Sequence, residues 1–180
     1  MSALRVAVIA LWIGFWLYWL LAARNVKRGS RARSARPASA AIIALALLLP
    51  RALGASALNV RSPALGALGL AILVASLAFA VWARVYLGRN WGMPMTAKRE
   101  PELVTSGPYR LVRHPIYAGL LGGMLGTALA TNPLALIAVA LMGGYFLHCA
   151  RVEEELMRSA FPGQYERYCE RTKLLIPFLL

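Results

Sequence analysis

Apolar residues run in long unbroken stretches along this chain. Residues 6–23, 62–83 and 115–147 contain no Asp, Glu, Lys, Arg or His. A helix needs roughly 20 apolar residues to cross ~30 Å of hydrocarbon, so the first two runs hold one crossing each and the third has room for two. The pattern predicts spans at about 5–23, 63–83, 115–131 and 133–150. Asn132-Pro133 between the last two is a turn signal, which makes them a helical hairpin. A further span starts near Pro37 or Ala38, with Pro suited to a first helical turn. Pro50 and Arg51 interrupt it, and a snorkelling Arg51 lets it run to about 57. The expected fold class is all-α: an integral membrane helical bundle of about five transmembrane helices with a cytosolic C-terminal helical tail.

Composition supports the membrane assignment. Of 180 residues, 59% are hydrophobic and 15% are charged, and a soluble domain of this size has too little interior to hide that much apolar surface. The first run lacks a small-residue cleavage site and precedes a basic segment, so it reads as a retained anchor rather than a signal peptide. Trp12, Trp16 and Trp19 share one helical face there, an arrangement expected for packing or lipid contact. Cys149 and Cys169 fall on the cytosolic side, where a disulfide is not expected, and without CxxC spacing they make a poor metal site. No metal is expected.

The net charge of +13 raises the question of nucleic acid. The basic residues flank apolar spans as the positive-inside rule requires, and no nucleic-acid partner is expected. With five spans, the loop after the first span, residues 84–114 and the tail 151–180 share one side. That side holds 17 of the 20 Lys and Arg and all seven acids, leaving Arg5, Arg51 and Arg61 opposite. Without the second span the two basic loops would lie on opposite faces. The predicted orientation is N-terminus outside and C-terminus cytosolic, in the inner membrane if the source is bacterial.

Two polar segments stand out at the cytosolic ends of the later spans. The first is 101–119, PELVTSGPYRLVRHPIYAG; the second begins at Arg151-Val-Glu-Glu-Glu155 and leads to Phe161, Tyr165 and Tyr168. Gly107-Pro108 reads as a turn. Pro115 is well placed as the first residue of the fourth span, so that helix would present free N–H groups and its positive dipole end beside His114. Arg110, Arg113 and His114 add donors suited to a carboxylate or phosphate, although basic residues at a helix end are also ordinary membrane anchors. Glu153, Glu154 and Glu155 point about 100° apart around a helix. They read either as a solvated helix segment, with Glu154 and Arg158 as an i,i+4 pair, or as part of a site. If the last two spans form a hairpin, Arg113 and His114 meet Glu153 and Glu154 at the mouth of an apolar bundle.

These segments resemble the isoprenylcysteine carboxyl methyltransferase family and its phospholipid methyltransferase relatives. The resemblance rests on Leu103 to Arg110 (LVTSGPYR), on Arg113-His114-Pro115 with Tyr117 and Gly119, and on the Asn-Pro hairpin. It continues through Glu153-Glu154, Phe161, Tyr165, Tyr168 and Ile176-Pro177, with Gly88-Arg89-Asn90-Trp91 as a lead-in, over roughly 84–178. It implies binding of S-adenosyl-L-methionine and methylation of a lipophilic small-molecule or lipidated acceptor, a prenylcysteine-like carboxylate being favoured. The implied cofactor-binding residues are Pro101, Glu102, Leu103, Val104, Tyr109, His114, Pro115, Tyr117 and Glu153. Glu153 would take the ammonium or the ribose hydroxyls, Arg113 and the start of the fourth span the carboxylate, and Glu102–Val104 the adenine edge. Tyr109 and Tyr117 would sit near the sulfonium. Arg113, His114 and Glu154 are the implied catalytic residues. A carboxylate acceptor is already ionised at neutral pH and needs no base; an amine acceptor would need Glu154 or His114 as one. The prenylcysteine enzymes place an arginine one turn before the first Glu, implied to hold the acceptor carboxylate, where this chain has Cys149. On this reading the chain is one membrane domain, with 1–83 as scaffold and 84–180 as cofactor-binding loop, hairpin and tail. Residues 89–102 are a candidate lid.

Two other readings stay open at this level. Membrane sterol and steroid reductases share a related helical core and use NADPH. A non-enzymatic interaction protein could use Gly119, Gly122, Gly123 and Gly126 as a packing face.

Overall fold

The structure is a computed structural model, and it describes residues 2–24, 29–31, 60, 62–98 and 100–176. The stretch assigned to the second span, about 38–57, lies outside the described residues. Within them the chain forms α1 (Ala3–Ala22), α2 (Pro63–Leu87), α3 (Pro115–Thr131), α4 (Ala135–Ala160) and the short α5 (Gln164–Arg171). Two strands of three residues, β1 (Gly29–Arg31) and β2 (Thr96–Lys98), pair antiparallel, with Ser30 opposite Ala97. The α-helical bundle stands; the ribbon adds a feature that residues 84–114, read as a polar connection, did not suggest.

Local chemistry sets the helix ends. Ser62 caps α2 by accepting from the Leu65 N–H at 3.3 Å, and Pro63 takes the first helical position. Pro115 does the same for α3. The Asn132 side chain accepts from the Leu134 N–H at 2.9 Å, closing the predicted turn between α3 and α4. α4 does not stop at the membrane edge predicted near residue 150. Beyond Gly144 it meets no Gly or Pro until Pro162-Gly163, where Gly163 adopts a left-handed φ of 74°.

α1, α2 and α4 are each long and apolar enough to cross a membrane, and α3 is a shorter apolar helix of 17 residues. At 1.5 Å per residue α3 spans about 25 Å, near the lower limit for a crossing. α1 turns large apolar side chains outward, among them Ile13, Leu17 and Leu20, as lipid contact requires. The protein is an integral membrane protein.

α2 and α3 pack backbone to backbone. A Cβ on Gly126 would lie 2.6 Å from the Gly69 carbonyl oxygen, and one on Gly119 would lie 2.7 Å from that of Ser76. Only glycine allows this approach. α1 lies parallel to α2. The Arg84 guanidinium near the end of α2 reaches the Ala22 carbonyl at the end of α1 at 2.6 Å, and Leu4 abuts Gly66 near both starts.

Candidate active site

The Arg113-His114-Pro115 turn, the start of α3 and the C-terminal third of α4 converge at one end of the bundle. Glu153 and Glu154 are neighbours in sequence, yet they face different partners, as helical geometry demands. Glu153 Oε1 accepts from the Tyr117 hydroxyl at 2.6 Å and from the Met95 N–H at 2.9 Å, while its Oε2 lies 3.5 Å from His114 Nδ1. Glu154 is buried and pairs with Arg113 Nε and, at 3.0 Å, with Arg158. Glu155 is exposed.

Arg113 faces the C-terminal tail. Its Nη1 donates to the carbonyls of Thr172 and Cys169, while the backbone N–H groups of Arg113 and His114 donate to Lys173 and Leu174 at 2.8 and 3.0 Å. Residues 112–114 and 173–174 thus run side by side, an isolated parallel bridge linking Val112 to Lys173. Arg110 stays exposed.

His114 is the hinge of the cluster. Its ring stacks on Tyr117 with centroids 5.6 Å apart, and Tyr117 stacks on Phe146 of α4 at 4.6 Å. His114 Nε2 is shielded from solvent without a hydrogen-bond partner, lying 3.8 Å from Glu154 Oε1. Burial alone would lower the imidazole pKa. The contacts with Glu153 and Glu154 outweigh it and raise the value above the ordinary 6.5, favouring the imidazolium. Burial, reinforced by nearby Tyr168 and Glu153, pushes the Tyr109 hydroxyl far up, so it stays protonated.

These groups open onto a cavity of about 1250 Å³. Its polar end carries His114, Arg113, Glu153, Glu102 and Asn90, with Pro101, Leu103, Val104, Tyr109, Pro115 and Tyr117 along the wall. From there it follows α3 past Leu120 and Met124 to Thr127 and Asn132, with Trp12, Trp16 and Trp19 of α1 also lining it. Every cofactor-binding residue named from the sequence lines this one cavity. Of the three named as catalytic, Arg113 and His114 line it and Glu154 sits behind them.

Three contributions were not expected. Met95, a non-glycine residue with φ 58°, buries its side chain against Tyr117, Tyr145 and Phe146 while its N–H reaches Glu153. Asn90 lines the cavity. The tryptophans of α1 form part of its wall, and Trp12 Nε1 donates to Thr127 Oγ1 at 3.0 Å. An Asn after a span and three aromatics on one face were signals available in the sequence; Met95 carried none. Cys149 is fully buried among Met95, Tyr117 and Leu175 and does not line the cavity. His148 is exposed on α4. Among the described residues no group of three or more His, Cys, Asp or Glu is arranged to hold a metal ion.

Comparison with known proteins places this cradle in a family. The family model for phospholipid methyltransferases matches residues 64–164, more than half of the chain. A cobalt-zinc-cadmium resistance protein of Cupriavidus metallidurans is 38% identical over 52% of this chain and 44% of its own length. Protein-S-isoprenylcysteine O-methyltransferase B of Arabidopsis thaliana is 30% identical over 62% of this chain and 58% of its own. The corresponding enzyme of Saccharomyces cerevisiae is 31% identical over 51% and 40%. The chain spans about half the length of the curated relatives it matches. The matched region runs from the start of α2 to the start of α5 and holds His114, Glu153 and the wall between them: the chain belongs to the phospholipid methyltransferase family.

Proposed function

We propose that this chain is a membrane methyltransferase that uses S-adenosyl-L-methionine and modifies a lipophilic acceptor. The observation that carries this reading is the meeting of His114 and Glu153 at the polar end of one long apolar cavity. The residues present suit the cofactor. His114 Nε2 is a buried nitrogen without a hydrogen-bond partner, and its raised pKa favours the form that donates to a carboxylate. Glu153 supplies negative charge for an ammonium, with Oε1 held by two internal donors. Pro101, Leu103 and Val104 give an apolar wall for a planar base. The cofactor supplies an activated methyl group on a sulfonium.

The cavity volume supports a second ligand. A site for one drug-sized molecule measures ~300–1,000 Å³, and about 1250 Å³ exceeds that. The stretch along Leu120, Met124 and the tryptophans is apolar and suits a hydrocarbon tail. A prenylcysteine-like carboxylate remains the favoured acceptor group because it needs no base, and catalysis then reduces to positioning and exclusion of water. Position 149 offers such a carboxylate no cation, since Cys149 is sealed in the core.

The geometry also supports five crossings. α1 and α2 are parallel, so both end on one side, as the five-span layout requires. With the positive-inside bias this supports an outside N-terminus and a cytosolic C-terminus.

Calorimetric titration of the detergent-purified protein with S-adenosyl-L-homocysteine tests the reading. Micromolar binding is expected, weakened at least tenfold in Glu153→Ala and His114→Ala. A folded wild-type sample that does not bind contradicts it.

A further inference from the structure

Asn90 ends a short 3-10 turn, Gly88–Asn90, that connects α2 to the loop over the cavity. The turn is rigidly held. Arg84 donates to the Gly88 carbonyl at 2.7 Å and to the Ala22 carbonyl at 2.6 Å, so one guanidinium ties the turn to the ends of two helices. The same guanidinium lies 4.9 Å from the centre of the Trp91 ring, which meets Trp19 edge-on at 5.8 Å. Asn90 and Trp91 both line the cavity.

The orientation of the Asn90 amide follows from its partner. Nδ2 donates to Glu102 Oε2 at 2.8 Å. A flipped amide would set two acceptor oxygens against each other, so Oδ1 must point away from the carboxylate. That oxygen is shielded from solvent and has no hydrogen-bond partner. Buried acceptors are almost always satisfied, and one left bare on a residue that lines a cavity calls for a donor from outside the protein. The surroundings say which end of a ligand that donor belongs to. The ionic groups His114 and Glu153 lie at the start of α3 and on α4, whereas Asn90 is tied through Glu102 to the segment that carries Pro101, Leu103 and Val104.

We propose that Asn90 is a cofactor-binding residue whose Oδ1 accepts a hydrogen bond from the nucleoside half of the cofactor, from the ribose 2′-hydroxyl or the exocyclic amine of the base. This rests on the proposed S-adenosyl-L-methionine site. It adds a recognition point on the turn held by Arg84, on a different segment of the cavity wall from His114 and Glu153.

Direct binding decides it. Three probes are titrated: S-adenosyl-L-homocysteine, its 2′-deoxy analogue and the analogue lacking the 6-amino group. Each is measured against wild type, Asn90→Ala and the milder Asn90→Ser. One neutral hydrogen bond corresponds to roughly fivefold in affinity. Asn90→Ala should weaken the parent ligand by about that factor and leave unchanged the affinity for whichever analogue lacks the bonded donor, which also identifies the donor. A general loss of folded protein lowers the active fraction for all three ligands alike and leaves the comparison of affinities intact. Equal weakening of all three probes, or of none, overturns the role of Asn90 while leaving the parent site standing. Failure of folded wild type to bind any probe overturns both.

Discussion

Glu153 and His114 carry most of the residue-scale chemistry, and they make a pH prediction. The His114 pKa is raised in the folded protein by Glu153 and Glu154, with Arg113 as the neighbouring cation. The stability from this pairing is complete below the ordinary value of 6.5 and is lost as pH rises through the raised one. Melting temperature in detergent should therefore fall as pH rises above 6.5 in wild type, with a shallower slope in His114→Gln; identical slopes contradict the pairing. Position 149 makes a second prediction. Arginine there would place a charge in a fully buried apolar cluster whose nearest acid, Glu153, already accepts from the Tyr117 hydroxyl and the Met95 N–H, so Cys149→Arg should destabilise the protein by roughly 3 kcal/mol or more rather than restore acceptor binding. The acids stood out in the sequence because negative charge beside a membrane edge is unusual. Met95 did not, because its N–H reaches Glu153 only through a positive φ and a tertiary contact that no local pattern encodes.

At the scale of elements, two interfaces hold the site in register. The first is the glycine seam between α2 and α3. Gly126→Ala would drive a methyl group into the α2 backbone and should cost roughly 1–3 kcal/mol by overpacking. Gly144→Ala, where a Cβ meets nothing within 4 Å, should be neutral or slightly stabilising in a parallel thermal melt. The second is the clasp of Arg113, Glu154 and the tail. Arg113→Ala leaves a buried carboxylate with one partner fewer and should destabilise by about 3 kcal/mol. An Arg113→Met/Glu154→Leu pair should recover much of that in the same assay; a double variant as unstable as the single would place the effect elsewhere. Unbroken apolar runs made α1, α2, α3 and α4 readable in advance. The continuation of α4 to Ala160 was not, because a change from apolar to polar marks a membrane edge but does not end a helix. The return of residues 172–174 beside the Arg113 turn was equally hidden, since backbone hydrogen bonds between distant segments leave no periodicity.

For the whole molecule, the parallel course of α1 and α2 and the charge bias both support the proposed layout, with an odd number of crossings and the polar cluster on the cytosolic face. Ser2→Cys should react with a membrane-impermeant maleimide on intact cells, and Glu170→Cys only after permeabilisation. Labelling of both without permeabilisation contradicts the orientation. The cavity joins this architecture to the proposed function, with Arg113, His114 and Glu153 at one end and an apolar stretch along Leu120 and Met124 leading away from it. A structure determined after soaking with S-adenosyl-L-homocysteine tests the central claim most directly. The account predicts ligand density between residues 101–117 and Glu153, with His114 in contact with it. Density elsewhere, or a saturated sample with that space lacking ligand, would contradict it.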